Sequence, residues 1–227
     1  MIFKHIKHEF PSLLKETAED GDRTYTTLEG KQYPSVTTVL KAHNEKNIAR
    51  WRKKVGEEEA DKVARKASHR GTSVHNALEA LLKNEDVSKL GLFPEARPLF
   101  NRMRKVLEFR MTEVHALEAP LISHSLRLGG TTDCVGKYDN LLSIVDYKTS
   151  LRPKKLEWVS GYFMQGVAYA NMWEETIGSK IEQIVVLIGV DNHTHCQSFR
   201  LRTHEFEPYM NALISYRDKY DERNILC

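Results

Sequence analysis

The hydrophobic pattern of the sequence changes its period near residue 110, and this change constrains the fold more than any other feature. Before it, apolar residues recur at helical spacing, so that Val74, Leu78 and Leu81 share one face of a segment. After it, short apolar runs alternate with turn residues and predict strands. Helices that precede a strand-rich half predict an α/β fold with a helical N-terminal subdomain.

The first half contains one predicted hairpin followed by helices. Residues 24–33 predict two strands with a turn at Glu29-Gly30, and Ser35 is a suitable cap for a helix over 36–42. The pattern predicts helices over 44–83, with breaks at Gly56 and Gly71, and over 95–109.

The second half predicts a strand meander, a helix, further strands and a final helix. The predicted strands cover 114–121, 124–128, 132–138, 142–146, 181–190 and 196–201, and the first two are also compatible with one bent strand. Turns are expected at Gly129-Gly130 and Asp139-Asn140, and helices over 156–173 and 205–220. No Pro/Gly/Ser-rich linker separates the halves, so residues 1–227 are expected to form one domain.

The bulk composition excludes several classes of protein. No apolar run is long enough to span a membrane, and the N-terminus has neither a secretory nor a mitochondrial targeting pattern. The net charge of +3 is only mildly basic. Three scattered cysteines, Cys134, Cys196 and Cys227, predict neither a disulfide framework nor a zinc site, which favours a reducing, cytoplasmic setting.

The chemistry is concentrated in residues 129–150. A turn at Asp139-Asn140 would bring Asp133 and Asp146 roughly opposite each other on neighbouring strands. Two carboxylates that close repel unless a cation neutralises them, and Mg²⁺ prefers carboxylate oxygens. Lys148 shares a strand face with Asp146, so its ammonium would lie beside the pair. As an isolated pattern, a D-x-K triplet is more often a surface salt bridge, but here Ile144 and Val145 place it at the end of an apolar strand.

The ordered motifs resemble the PD-(D/E)XK nuclease superfamily, and within it the RecB-like branch. Residues 71–75 resemble its G-x-x-x-H motif, 146–148 its D-x-K strand end and 165–169 its Q-x-x-x-Y helix. The stretch 34–40, followed by a basic helix with a tryptophan, is similar to the mitochondrial genome maintenance exonucleases and related phage exonucleases. The resemblance, over about residues 24–190, implies a restriction-endonuclease-like core, a central mixed β-sheet flanked by helices, over 111–227. A hairpin and helical DNA-binding subdomain would occupy 1–110.

The same resemblance implies roles for individual residues. Asp133 and Asp146 would bind Mg²⁺ or Mn²⁺ with His75 and the Tyr147 carbonyl, and Lys148 would serve the nucleophilic water. The residues expected to support the site or contact DNA are Gln165, Tyr169, Thr149 and Glu118. Glu118 is equally compatible with a solvated strand-end acid. Some relatives hold an iron–sulfur cluster with four cysteines, and the three here predict no cluster.

A basic helical arm is a second candidate for DNA contact. Its basic residues would neutralise the DNA backbone and its tryptophan would stack on a base. These residues are Arg50, Trp51, Arg52, Lys53 and Arg70. The alternative is a solvated helix whose charge is balanced by acids at 57–59 and 61.

Together these features predict a metal-dependent DNA exonuclease acting on single strands or DNA ends, in replication, repair or recombination. A structure-specific endonuclease on the same fold and a non-catalytic DNA-binding module are the alternatives, and the intact D-x-K site argues against the latter. A monomer is favoured. The expected location is the cytoplasm, that of the host if a phage encodes the chain, and a mitochondrial location is less favoured.

Overall fold

A computed structural model describes residues 2–19 and 21–225, so Cys227 lies outside the described residues. The strands are β1 (Lys4–His5), β2 (Leu14–Thr17), β3 (Arg23–Thr26), β4 (Gln32–Pro34), β5 (Met111–Ser123), β6 (Leu128–Tyr138), β7 (Leu141–Ser150), β8 (Gln183–Val190) and β9 (Gln197–Arg202). The α-helices are α1 (Val36–Val55), α2 (Glu57–Leu82), α3 (Ala96–Arg110), α4 (Ser160–Ile177) and α5 (Phe206–Ile225). None of these helices, within the described residues, combines the length and apolar character that crossing a membrane requires.

A mixed sheet of six strands, in the order β1-β5-β6-β7-β8-β9, forms the centre of the fold. β5, β6 and β7 form an antiparallel meander, whereas β7 and β8 run parallel and are connected through α4. β9 lies antiparallel to β8, and β1 joins the sheet beside β5. The predicted hairpin is present as β3 and β4, which form a smaller sheet with β2. The α/β class with a helix-flanked mixed sheet is therefore confirmed.

Helices cover both faces of the six-stranded sheet, and β8 shows why. Its residues are all buried, and they alternate: Ile184, Val186 and Ile188 pack with α1, α4 and α5, whereas Val185 and Leu187 pack with α2 and α3. Side chains on a strand point alternately to opposite faces, so a continuous apolar run serves two cores. This strand is the one predicted over 181–190.

The helical half is more continuous than the sequence predicts. Ser35 caps α1 by accepting a hydrogen bond from the Thr38 backbone N–H, as expected, but the helix runs on to Val55. Gly56, with φ 87°, separates α1 from α2 as expected. The predicted break at Gly71 is wrong, because this residue lies inside α2. A glycine costs a helix about 1 kcal/mol, which is less than the packing of Val74 and Leu78 against the core contributes.

The predicted turn at Gly129-Gly130 is also wrong. The turn covers 124–127, which removes the strand predicted over 124–128, and both glycines lie within β6. A Cβ atom at Gly129 would meet Tyr25 Cβ at 2.6 Å, and one at Gly130 would meet Tyr169 Cε1 at 2.5 Å. The glycines therefore allow two tyrosines to pack directly on the strand backbone.

Candidate active site

The candidate site lies where the backbone pairing between β6 and β7 ends. Cys134 pairs with Val145, and Asp133 and Asp146 are the next residues outward on each strand. The turn at Asp139-Asn140, where φ is 49° and 65°, sets this register as the sequence predicts. The two acids are therefore brought to the same place by a hairpin whose loop is only two residues long.

Asp133 links the strands to helix α2 through His75. The Tyr147 backbone N–H donates to Asp133 Oδ2 at 2.8 Å, and His75 Nδ1 lies 3.5 Å from Asp133 Oδ1. His75 Nε2 donates to the Tyr147 carbonyl oxygen at 2.8 Å. The structure thus brings together three of the predicted metal-binding groups: Asp133, His75 and the Tyr147 carbonyl.

Asp146 and Lys148 form a close ion pair on the same face of β7. Lys148 Nζ lies 2.6 Å from each Asp146 carboxylate oxygen, but it donates a hydrogen bond to Oδ1. Within the described part of the chain, the buried Oδ2 has no hydrogen-bond partner. Asp146 is only 2% exposed to solvent, whereas the side chain of Lys148 is 22% exposed. Lys148 Nζ also lies 5.2 Å from the ring centre of Tyr162, a residue that the sequence did not indicate.

Burial and neighbouring charges shift the pKa values of Asp146 and Asp133 in opposite directions. Burial, opposed by Lys148 and reinforced by Asp133, raises the pKa of Asp146. For Asp133, burial is outweighed by the His75 hydrogen bond and by Lys148, so its pKa is lowered. For Lys148, burial is outweighed by the carboxylates of Asp146 and Asp133, which raises its pKa. The lysine therefore keeps its positive charge beside the carboxylates.

Glu118 lies beside Asp133 and His75, closer to the centre of the site than a supporting residue or a solvated strand-end acid would be. Leu117 pairs with Cys134 and Ala119 with Thr132, which places Glu118 across from Asp133. Ligand atoms of Glu118, His75 and Asp133 lie within 4.8 Å of one another. Although the residue is exposed, desolvation of its carboxyl and then the Asp133 charge raise the pKa of Glu118 to about 6. Its φ of 46° is a strained value for a glutamate within a strand.

The site has the ligand types that a divalent cation requires. One imidazole and two carboxylates within 4.8 Å can hold such an ion. The positive φ of Glu118 is a backbone cost that a bound cation would help to offset. Asp146 lies outside this cluster, and its buried carboxylate is paired with Lys148. The position of Glu118 follows from the β5–β6 register, which the misplaced turn at Gly129-Gly130 concealed.

The predicted supporting residues lie behind the site. Gln165 Nε2 donates to Tyr169 Oη at 3.2 Å on α4, and Tyr169 packs against Gly130. Thr149 faces α2, where a Cβ at Gly71 would lie 3.7 Å from its Oγ1. Tyr169 thus connects α4 to β6, Gln165 supports Tyr169 within α4, and Thr149 lies close to α2.

The residues of the predicted arm differ in their surroundings. Arg50, Trp51 and Lys53 are exposed on α1, whereas Arg52 pairs with Glu57 and Asp61. The structure departs from the prediction at Arg70, which is 4% exposed and forms an ion pair with Asp191 at the end of β8. A buried, paired guanidinium joins α2 to the sheet and presents no charge to a phosphate.

Comparison with known proteins supports a relationship to nucleases. No family model matches the chain. The chain is similar to proteins named mitochondrial genome maintenance exonuclease 1, with 24% identity to the human protein over 223 residues, 87% of this chain and 62% of that protein. The Xenopus tropicalis protein is 25% identical over 84% of this chain and 59% of its own length. The chain therefore matches about 60% of the length of these relatives.

Proposed function

We propose that this chain is a metal-dependent DNA exonuclease of the PD-(D/E)XK, RecB-like type. The observation that carries the proposal is the neighbouring position of Asp133 and Asp146 at the end of two paired strands, with His75 beside Asp133 and Lys148 beside Asp146. The name of the relatives, which describes exonucleases that maintain a genome, supports DNA as the substrate. A DNA-binding module does not need a lysine–carboxylate pair beside a cluster that can hold a metal ion, whereas a metal-dependent nuclease does.

The residues that would hold the metal are His75, Asp133, Asp146 and the Tyr147 carbonyl, with Glu118 as a further acid from β5. Their oxygen-rich composition favours Mg²⁺ or Mn²⁺ over softer ions. A divalent cation bound there supplies Lewis-acid polarisation of the scissile phosphate.

Among the protein's own side chains, Lys148 would contribute most directly to the hydrolysis step. Its ammonium is positioned by Asp146 at 2.6 Å and by the Tyr162 ring, and it retains access to solvent. From there it can orient the attacking water and offset the negative charge that develops on the phosphate oxygens. His75 holds the Tyr147 backbone in place, Tyr169 packs α4 against β6 with support from Gln165, and Thr149 is close to α2.

Helix α2 gives a reason to expect dependence on DNA ends. His75 reaches the site from α2, and Arg70 ties the same helix to the end of β8. Because α2 packs over one face of the sheet beside the site, it would restrict access from that face, and in this proposal a threaded single strand is favoured over a continuous duplex. We therefore expect rapid Mg²⁺-dependent degradation of a linear single strand, slow cleavage of blunt duplex and negligible cleavage of a covalently closed circle.

The assay compares these end-labelled or circular substrates on gels, with Mg²⁺ and with EDTA. The circular strand has the same sequence as the linear strand, so it differs only in lacking ends. Equal rates on the two substrates would contradict end dependence and support the endonuclease alternative. Absence of cleavage on every substrate would contradict the enzyme itself.

The arm on α1 makes a separate contribution to DNA affinity in this proposal. Charge reversal of both Arg50 and Lys53 should weaken single-strand binding and flatten its salt dependence, with the slope of log K against log [salt] falling by about 1.4. Arg52→Gln is the matched control, because its partners Glu57 and Asp61 already neutralise it. A slope unchanged by the double reversal, measured by fluorescence anisotropy in EDTA, would remove α1 from the DNA interface.

The division into a DNA-binding segment over 1–110 and a catalytic core over 111–227 is part of the proposal. One feature modifies it, since β1 belongs to the same sheet as the catalytic strands. The monomeric state and the cytoplasmic location stay predictions from the sequence.

A further inference from the structure

The connection between β7 and α4 exposes an unusual amount of apolar surface. Leu151, Leu156 and Trp158 are 58%, 59% and 56% exposed within a segment of eight residues. We call residues 151–158 the post-catalytic loop, because it begins three residues after Lys148. Scattered exposed apolar residues are ordinary, but three in one short segment indicate a surface that binds something.

The post-catalytic loop is held in place. Gln197 on β9 accepts a hydrogen bond from the Lys154 backbone N–H at 2.8 Å and donates one to the Lys154 carbonyl at 2.9 Å. Ser150 Oγ donates to the Arg152 carbonyl at 2.7 Å. The large side chains therefore project into solvent from an anchored backbone, which lowers the entropic cost of binding a ligand.

The loop lies at the candidate site. It follows the carboxyl end of β7, beside the parallel strand β8, and ligands of open α/β sheets bind at such strand ends. Trp158 is four residues before Tyr162, whose ring lies 5.2 Å from Lys148 Nζ. A polymer bound at Lys148 and continuing past Tyr162 would therefore pass close to this loop.

The charge of the loop complements a polyanion. Arg152, Lys154 and Lys155 outnumber the one acid of the segment, Glu157. Lys155 Nζ lies 5.5 Å from the Trp158 ring centre, so the cation and the aromatic face are presented together. Cations beside an exposed indole match phosphates beside unpaired bases, whereas a duplex would bury its bases.

We infer that the post-catalytic loop binds single-stranded DNA, with Trp158 stacking on a base and the basic side chains contacting the flanking phosphates. The inference deepens the proposed function and rests on it for the identity of the polyanion. It assigns to Trp158 a positioning role for the DNA strand whose reacting phosphate would lie at Lys148.

The test measures binding of the full chain to fluorescein-labelled oligothymidylate by anisotropy in EDTA, where cleavage is suppressed. Trp158→Ala should weaken binding about tenfold, as expected for one lost stacking contact, whereas Trp158→Phe should stay within about threefold of the parent. Phe109→Ala is the matched control, because Phe109 is 81% exposed with Arg110 5.7 Å from its ring centre, at the opposite end of β7 near Asp139. Its affinity should not change.

Three results would overturn the inference: parental affinity in Trp158→Ala, an equal loss in Phe109→Ala, or an equal loss in Trp158→Phe. Circular dichroism and thermal melting of each variant identify any loss that comes from unfolding. Cleavage by the parent with Mg²⁺ is measured in parallel. If Trp158→Ala binds as well as the parent and the parent cleaves DNA, the inferred role of the loop is contradicted and the proposed function stands. The tenfold loss without any cleavage supports the loop and contradicts the nuclease.

Discussion

Asp133→Asn is expected to abolish cleavage and most metal binding while preserving the fold. The amide oxygen can still accept the hydrogen bond from the Tyr147 N–H, so the strand contact at 2.8 Å has a substitute. The negative charge that would bind the cation is lost. We expect the cleavage rate to fall by about 10³-fold or more, because losing a single electrostatic contact typically costs about 10²–10³ and metal affinity falls as well.

The measurement is isothermal titration with Mn²⁺ alongside a single-turnover cleavage assay. Glu118→Gln is measured for comparison with Asp133→Asn. Glu118 belongs to the same cluster as Asp133, but it lies on β5, separated by β6 from the D-x-K motif on β7. A smaller loss in Glu118→Gln than in Asp133→Asn would assign Glu118 a secondary position. Mn²⁺ affinity equal to that of the parent in Asp133→Asn would refute the metal site.

Lys148→Ala should lose turnover by about 10²–10³-fold while retaining DNA affinity. In the proposed mechanism the ammonium would stabilise charge that develops mainly in the transition state, so its removal should lower kcat more than it raises KM. Removing it also leaves Asp146 buried without its partner, which costs stability and favours the protonated carboxyl. The loss of rate therefore has to be separated from a loss of folded protein.

Lys148→Arg provides that separation, because it keeps the charge beside Asp146 but alters the position of the donors. A rate deficit in both variants, with thermal melting of the arginine variant close to that of the parent, would assign the role to the ammonium. Single-turnover rates within about threefold of the parent in Lys148→Ala, a change under about 0.7 kcal/mol, would show that the lysine is not catalytic.

The sequence was sufficient to predict the structural roles of residues that act on their near neighbours in the chain. Ser35 caps α1, Asp139-Asn140 forms the two-residue turn, and the apolar run over 181–190 forms the buried strand β8. Each depends on neighbours within a few positions, so short-range propensity and periodicity are sufficient. The opposition of Asp133 and Asp146 followed from the turn by counting along two strands.

Contacts between distant segments were not predictable in this way. Gly129 and Gly130 have the composition of a turn, but they lie in a strand, where Tyr25 and Tyr169 occupy the space that side chains would need. Arg70 has the charge of a DNA-binding residue, yet Asp191 lies 121 positions away in sequence and pairs with it in the interior. Neither partner is visible to a local pattern.

The candidate site combines both kinds of information. The order of acids, lysine and turn along β6 and β7 is encoded locally, and it was sufficient to place Asp133, Asp146 and Lys148 together. The approach of His75 to the Tyr147 carbonyl, the place of Glu118 opposite Asp133 and the anchoring of the post-catalytic loop by Gln197 depend on how helices and strands pack. Packing is set by the sum of many weak long-range contacts, and no single stretch of residues contains that sum.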